Sequence, residues 1–164
     1  MALTYRITTS VMVACLLGCT PPADAPITED ERNKIIAEIT VHLDSLTAAW
    51  TRADMAAMVS HEADSVVSTF NGNRDSGEEY WASVRAYVWS VASQEIGSFI
   101  DLRFDVLARD VVVTSWENQF VQTDTLGNRR PPQLALMTLV WVCQPVGWRI
   151  LHYHESTRPA NDGG

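Results

Sequence analysis

Two histidines near the end of the chain are of the residue type that acid–base chemistry uses. His152 and His154 lie two residues apart in the segment GWRILHYHES, and residues two apart on a strand point to the same face of a sheet. Either imidazole could form a general acid–base pair with a carboxylate such as Asp101, Asp105 or Glu117. The alternative is that the histidines order a cavity wall through hydrogen bonds across the sheet.

Strand alternation assigns the neighbours of these histidines to faces. It places Trp148 and Ile150 on the face of His152 and His154, and Tyr153 on the opposite face. Which of the two faces is internal stays open.

A metal site is a further interpretation of the histidine pair. His152 and His154 would need His61 or Glu117 as a third ligand. No spacing typical of a metal motif accompanies the pair. We therefore predict no metal and no other cofactor.

Glu117 lies in a second strand-like segment, where two interpretations exclude each other. Trp116 and Asn118 share one face, and Glu117 points to the opposite one. If Glu117 faces the interior, it is the best candidate for a general base. If Trp116 and Asn118 face the interior, the strand lines a binding pocket. We keep Glu117, His154 and His152 as the catalytic candidates.

Aromatic side chains offer a binding surface, because six tryptophans are many for a chain of 164 residues. Ordinary core packing is the alternative role for each of them. The candidate ligand-binding residues are Trp50, Tyr80, Trp81, Trp116, Asn118 and Trp141.

Composition bounds the function classes. The chain is 46% hydrophobic, which suits one globular domain with a sizeable core. Its formal net charge is −8, and it has no run of Lys or Arg. Nucleic-acid binders concentrate positive charge on one face, so we expect no nucleic-acid partner.

The N-terminus has the features of an export signal. Arg6 precedes an apolar run, Ile7 to Leu17, that is too short to span a bilayer. The run ends in Leu-Leu-Gly-Cys, which resembles the lipobox of bacterial lipoproteins. That resemblance implies cleavage after Gly18 and a lipid anchor on Cys19. It also implies a cell-envelope location, at the outer membrane facing the periplasm if the cell is Gram-negative, because Thr20 stands where Asp would mark inner-membrane retention.

The cysteines support the same interpretation. With Cys15 in the signal and Cys19 carrying lipid, Cys143 remains in the apolar run LALMTLVWVC. We expect it to be a buried, inert thiol.

Periodicity then divides the rest of the chain into helices followed by strands. Apolar positions recur at helical spacing over residues 30–52, a short helix runs to Met58, and a third helix starts after Ser76 and ends at Gly97. Strand patterns occupy residues 65–70, 98–107, 111–122, 133–143 and 148–155. Short turns join the last four strands, so we predict an antiparallel meander in an α+β domain.

This order of elements, with Gly77 opening the third helix and GWRILHYHES as the closing strand, resembles the NTF2-like superfamily, in particular its SnoaL-like and DUF4440-type members. The resemblance implies three N-terminal helices packed on a curved, mainly antiparallel sheet that encloses a conical cavity. The superfamily includes isomerases, dehydratases and proteins that only bind a ligand or form dimers. The implied organisation is a signal peptide (1–18), lipidated Cys and tether (19–27), NTF2-like domain (28–157) and flexible tail (158–164).

The resulting hypothesis is an envelope-tethered domain that binds a small hydrophobic or aromatic molecule in its cavity and forms a homodimer. An acid–base isomerase, dehydratase or hydrolase that uses a His/carboxylate pair is the first alternative. An assembly or partner-binding module is the second. The membrane is expected as a partner only through the lipid anchor.

Overall fold

The fold is described from a computed structural model that covers residues 26–160. The predicted signal peptide and the lipidation site Cys19 lie outside the described residues, as do the last four residues of the tail. No helix within 26–160 is long and apolar enough to cross a membrane.

Residues 26–160 form three helices and seven strands. The helices are α1 (Glu29–Thr51), α2 (Met55–Val59) and α3 (Gly77–Ser90). The strands are β1 (Glu62–Phe70), β2 (Asn73–Ser76), β3 (Val91–Ile96), β4 (Ile100–Ala108), β5 (Val111–Asp124), β6 (Gln133–Gln144) and β7 (Gly147–Pro159).

All seven strands form one sheet in the order β2-β1-β7-β6-β5-β3, with β4 also paired to β5. The meander β4-β5-β6-β7 is antiparallel, as the short turns predict. β1 pairs with β7 in parallel, so the sheet is mixed. Helices on a large curved sheet confirm the predicted α+β class.

Helix α1 supplies one layer of the core. Thr28 caps its N-terminus in a capping box with Glu31, as the sequence spacing predicts. Ile39, Leu43 and Leu46 are almost fully buried, and burial of each such side chain contributes roughly 1.5–3 kcal/mol. They pack in the same core as Trp116, Trp141, Leu139 and Ile150 of the sheet.

The third helix is shorter than the sequence predicts. It ends at Ser90, and residues Val91–Ile96 form β3 against β5. The valines at 84, 88 and 91 fit helical spacing, but Val91 already has extended dihedrals. Hydrogen bonding to the edge of β5 outweighs the weak helical preference of residues 91–96.

A two-residue turn joins β1 to β2, a strand that the sequence analysis missed. Asn71 and Gly72 both have positive φ, of 46° and 86°, as a type I′ hairpin turn requires. Side-chain bonds from Asn71 to Thr157 fasten this turn to β7.

Strand β7 contains a bulge. Trp141 and Val140 are consecutive on β6, but they pair with Ile150 and His152 of β7, so that Leu151 is the extra residue. A bulge bends the strand and shifts its alternation by one residue. β7 continues to Pro159, so Arg158 and Pro159 belong to the strand, although the sequence assigned them to the tail.

Cys143 lies near the end of β6. It is disulfide-bonded in the structure, so the expectation that it remains a thiol is wrong. Cys143 is also only half-buried, and not buried as expected.

Candidate functional site

A cavity of about 620 Å³ lies between the helices and the inner face of the sheet. Its volume falls in the range of small-molecule sites. Carboxyl, phenol and amide groups occur among apolar side chains in its wall. The lining residues include Trp50, Met58, Glu62, Ser68, Phe70, Asn71, Asp75, Tyr80, Ser83, Val84, Tyr87, Gln94, Asn118, Phe120, Gln122, Arg130, Ala135, Met137, Tyr153, Glu155 and Thr157.

Glu62 opens β1 and presents a carboxyl group to this cavity. The Tyr80 hydroxyl of α3 donates to Glu62 Oε1 at 2.5 Å. Glu62 Oε2 is buried and has no hydrogen-bond partner among the described residues. Burial raises the pKa of Glu62 to about 7, and the Tyr80 hydrogen bond offsets part of that rise.

Glu155 of β7 is half-buried and supplies a second carboxyl group to the wall. The hydroxyl of Tyr153 donates to its Oε2. Burial raises the pKa of Glu155, and the Tyr153 hydrogen bond again acts in the opposite direction. The site therefore repeats one arrangement, a half-buried glutamate whose carboxyl group accepts a hydrogen bond from a tyrosine.

A polar network crosses the wall beside these pairs. The Tyr87 hydroxyl donates to Gln94 and accepts a 2.9 Å bond from Gln122 Nε2. Arg130 in turn donates to Gln122 Oε1 at 3.2 Å. Burial is the main cause that raises the pKa of Tyr87, to about 12, so this phenol keeps its proton at neutral pH.

Apolar and aromatic side chains complete the wall. Trp50 contacts Tyr153 edge-on, with ring centroids 6.0 Å apart. Phe70, Phe120 and Met137 also face the cavity. The space therefore suits a molecule with an apolar body and a few polar groups.

The fold matches known structures although the sequence does not. No family profile matches the sequence, and no curated protein sequence matches it. A candidate dehydratase of the NTF2-like family from Streptomyces avermitilis superposes with a TM-score of 0.69, at 18% identity, over 79% of this chain and 99% of its own. The chain has the NTF2-like fold.

Two further NTF2-like structures are similar to this chain. The hexachlorocyclohexane dehydrochlorinase LinA-type3 of Novosphingobium barchaimii has a TM-score of 0.66 at 16% identity, over 82% of this chain and 96% of its own. An NTF2-like superfamily protein of Salmonella enterica has a TM-score of 0.66 at 18% identity, over 80% of this chain and 96% of its own. At these identities the likeness establishes the fold alone.

Within the NTF2-like cone, the bulge at Leu151 decides where the histidines lie. Trp148 and Ile150 are buried in the core, but after the bulge Tyr153 and Glu155 continue that inner face. His152 and His154 alternate with them and lie on the outer face. The expectation that the histidines share a face with Trp148 and Ile150 is therefore wrong.

The surroundings of the histidines are those of an outer sheet face. His154 Nε2 lies 3.1 Å from Ser156 Oγ. Partial burial lowers the pKa of His152, and the charges of His154 and Arg74 add to this effect. No group of three His, Cys, Asp or Glu within residues 26–160 is arranged to hold a metal ion, and His61 instead lies against Ser45 and His42.

The structure also decides between the two interpretations of the second long strand. Trp116 and Asn118 are buried and face inward. Glu117 faces outward, where it forms an ion pair with Arg158 at 3.7 Å. Glu117, His152 and His154, the three catalytic candidates, are thus absent from the cavity lining.

The six predicted ligand-binding residues divide evenly. Trp50, Tyr80 and Asn118 line the cavity. The other three belong to the packing around it: Trp81 contacts Tyr80, Trp116 donates to Asn118 Oδ1, and Trp141 donates to Thr114 Oγ1.

Sequence reasoning missed the central groups of the cavity. Tyr153 and Glu155 occur in the segment GWRILHYHES that drew attention to the histidines, but regular alternation does not distinguish the faces. Glu62 precedes the predicted strand by three residues. An acidic residue at the start of an apolar strand, followed by a Tyr-Trp pair on the next helix, is the signal that could have located it.

Proposed function

We propose that this NTF2-like domain binds a small, partly aromatic organic molecule in its cone. The observation that carries the proposal is a 620 Å³ cavity whose wall combines aromatic side chains with the carboxyl groups of Glu62 and Glu155. No cation among the described residues forms an ion pair with either carboxyl group. A ligand with hydrogen-bond donors on an aromatic body matches such a wall.

Screening an aromatic fragment library by ligand-observed NMR tests the proposal. Val84→Trp fills the cavity from α3, and Ala82→Trp places the same ring on the exposed side of that helix. We expect fragments that bind the wild type and Ala82→Trp, and that do not bind Val84→Trp. Binding that is unchanged by Val84→Trp would contradict the proposal.

Acid–base catalysis in the same cavity is the second candidate function. The observation that favours it is the pKa of Glu62, raised to about 7, because a general base is most effective with a pKa near the working pH. LinA-type3 carries the name of a dehydrochlorinase, and such an elimination removes a proton from its substrate. The cavity lining contains no histidine among the described residues. We therefore propose Glu62 as the general base in place of a His/carboxylate pair.

A turnover assay distinguishes binding from catalysis. Any fragment found by NMR is incubated with the protein and followed by mass spectrometry. Catalysis by Glu62 predicts product formation that Glu62→Gln abolishes while binding is retained, with a rate that rises with pH through about 7. An unchanged ligand after long incubation would leave binding as the function.

We also propose that the domain acts at the cell envelope. The support is the sequence Leu16-Leu17-Gly18-Cys19 after an apolar run. Mass spectrometry of the N-terminal peptide should show Cys19 with thioether-linked lipid, and Cys19→Ser should release the protein from membranes.

Self-association through the outer face of the sheet is the proposed assembly. Leu136 is 55% exposed there, and Leu134 lies beside it in a shallow groove with Glu117 and Arg158. A twofold copy can place Glu117 against Arg158 of the other subunit, because an isologous contact presents both charges on each side.

A further inference from the structure

We propose that the cavity selects an organic cation, a primary ammonium group on an aromatic or apolar body. The inference rests on the proposed binding function and names its ligand class. The ammonium group would donate to the carboxyl groups of Glu62 and Glu155, and the apolar body would lie along the ring-lined wall.

The phenol protons of the cavity are already engaged in hydrogen bonds within the protein. Tyr80 donates to Glu62, Tyr153 to Glu155, and Tyr87 to Gln94. Trp116 likewise donates to Asn118 Oδ1 and leaves no indole proton for a ligand. The phenols therefore offer a ligand no free proton, whereas the two carboxyl groups offer acceptors, which suits a ligand that carries donors.

No Lys, Arg or His within residues 26–160 forms an ion pair with Glu62 or Glu155; the described ion pairs all involve other carboxylates. Arg130 is the cation of the lining, and it donates to Gln122. Two half-buried carboxyl groups without a countercharge among the described residues favour a ligand that brings one.

Trp50, Phe70, Phe120 and the three tyrosines supply aromatic surface, which attracts ammonium groups through the ring quadrupole. Asp75, held by Ser83 at 3.0 Å, adds a carboxylate to the lining. The chain has a net charge of −8, and such a field favours the approach of cations over anions.

Isothermal titration calorimetry with three probes of nearly equal size tests the inference. Phenethylamine is a cation at pH 7, 2-phenylethanol is a neutral donor, and phenylacetate is an anion. We expect phenethylamine to bind at least tenfold more tightly than 2-phenylethanol, and phenylacetate to bind most weakly.

Matched variants locate the effect. Glu62→Gln retains shape and can still accept from Tyr80, and it should remove about tenfold of the phenethylamine affinity while 2-phenylethanol binding stays within about twofold. Glu78→Gln makes the same change on the exposed side of α3 and should alter neither. Tyr80→Phe provides a second variant at the site, with folding checked by circular dichroism.

The affinity of the cavity should change with pH in opposite directions for the two kinds of ligand. Cations need ionised glutamates, whereas anions need protonated ones. The titratable groups around Glu62 and Glu155 are Tyr80 and Tyr87 from α3, Tyr153 from β7 and Asp75 from β2, with Arg130 as the fixed cation. Because Glu62 has a pKa of about 7, phenethylamine affinity should rise about tenfold from pH 6 to pH 8. Anion binding to protonated carboxyls would weaken over the same interval.

Each other outcome overturns the inference. Equal affinity for the amine and the alcohol, or a preference for phenylacetate, would show that the cavity does not select cations, while the binding function stands. If none of the probes binds but the fragment screen finds a cavity ligand, the cation inference fails alone. If the screen is also empty, both fail.

Discussion

Two glutamates of this domain show how position determines what a carboxyl group can do. Glu62 lies in the cavity wall, bonded to Tyr80 through one oxygen and unsatisfied at the other. Glu117 lies on the outer face of β5 and pairs with Arg158 near solvent. Burial raises the pKa of Glu62 to about 7. That environment, and not the residue type, makes Glu62 the candidate for binding and proton transfer.

The raised pKa of Glu62 predicts a pH dependence of stability. Between about 4.5 and about 7 the folded state binds more protons at Glu62 than the unfolded state, so the free energy of unfolding falls as pH rises. The difference between these two pKa values limits the fall in the free energy of unfolding to about 3 kcal/mol. Urea denaturation at pH 5 and pH 8 should show a smaller decline for Glu62→Gln than for the wild type, because glutamine does not titrate. Equal declines would contradict the burial of this carboxyl group.

Glu117→Gln tests the outward placement of the residue that sequence reasoning favoured as a base. Its partner Arg158 is more than half exposed, and surface ion pairs contribute about 0–1 kcal/mol. We expect a loss of stability within that range and no change in fragment binding by NMR. A loss of binding comparable to that of Glu62→Gln would place Glu117 in the site after all.

At the scale of residues, the sequence predicted part of the site. Trp50, Tyr80 and Asn118 were predictable from their residue types and from the helix or strand face on which each lies. Glu62 and Glu155 were not, because their role depends on desolvation and on partners from other elements: Tyr80 in α3 for one, and a bulge in β7 for the other.

At the scale of elements, β7 controls the cavity. Its first half puts Trp148 and Ile150 into the core, and its second half puts Tyr153 and Glu155 into the cavity. The extra residue Leu151 separates the two halves and is 36% exposed. A bulge of this kind also bends the strand, which suits a sheet that wraps around a ligand space.

Deletion of Leu151 is therefore expected to be tolerated. It would make β7 regular, and Ile150, Tyr153 and Glu155 would keep their inward faces because alternation then runs without interruption. We expect a cooperative thermal transition with a loss of about 1–3 kcal/mol and weaker ligand binding, because the strand is straighter.

Deletion of Thr138 is the control for this change. Thr138 lies in a regular part of β6, so its removal reverses the faces of every following residue up to the next turn and should unfold the domain. If deletion of Leu151 unfolds the protein as completely as deletion of Thr138, the bulge is not where the structure places it.

The elements themselves were largely predictable. The capping box at Thr28, the long apolar stripe of α1 and the turns of the meander are local signals, and the structure confirms them. The end of α3 was not, because Val91 fits both a helical stripe and a strand, and only the free edge of β5 decides between them. The parallel pairing of β1 with β7 joins distant segments and leaves no local signal.

At the scale of the whole molecule, the two faces of the sheet have separate proposed roles. The inner face carries the cavity and its glutamates, and the outer face carries Leu136, the histidines and the Glu117–Arg158 pair. An inner site and an outer association surface are compatible, because side chains of one strand alternate between them.

The association proposal predicts a change of mass with one substitution. Leu136→Arg should convert a dimer to a monomer in sedimentation equilibrium, because it places a charge in the centre of an isologous contact. Val41→Arg, at a similarly exposed position on α1, should leave the dimer intact. A wild-type protein that sediments as a monomer at high micromolar concentration would refute the proposed assembly.

The measurement that tests the central claim most directly is a native mass spectrum of the protein purified without denaturation, compared with its denatured mass. We predict an additional organic mass that dissociates on unfolding, that is reduced in Glu62→Gln, and that is absent in Val84→Trp. A native mass equal to the denatured mass in every sample, or an adduct that persists in Val84→Trp, would contradict a ligand held in the cone by Glu62.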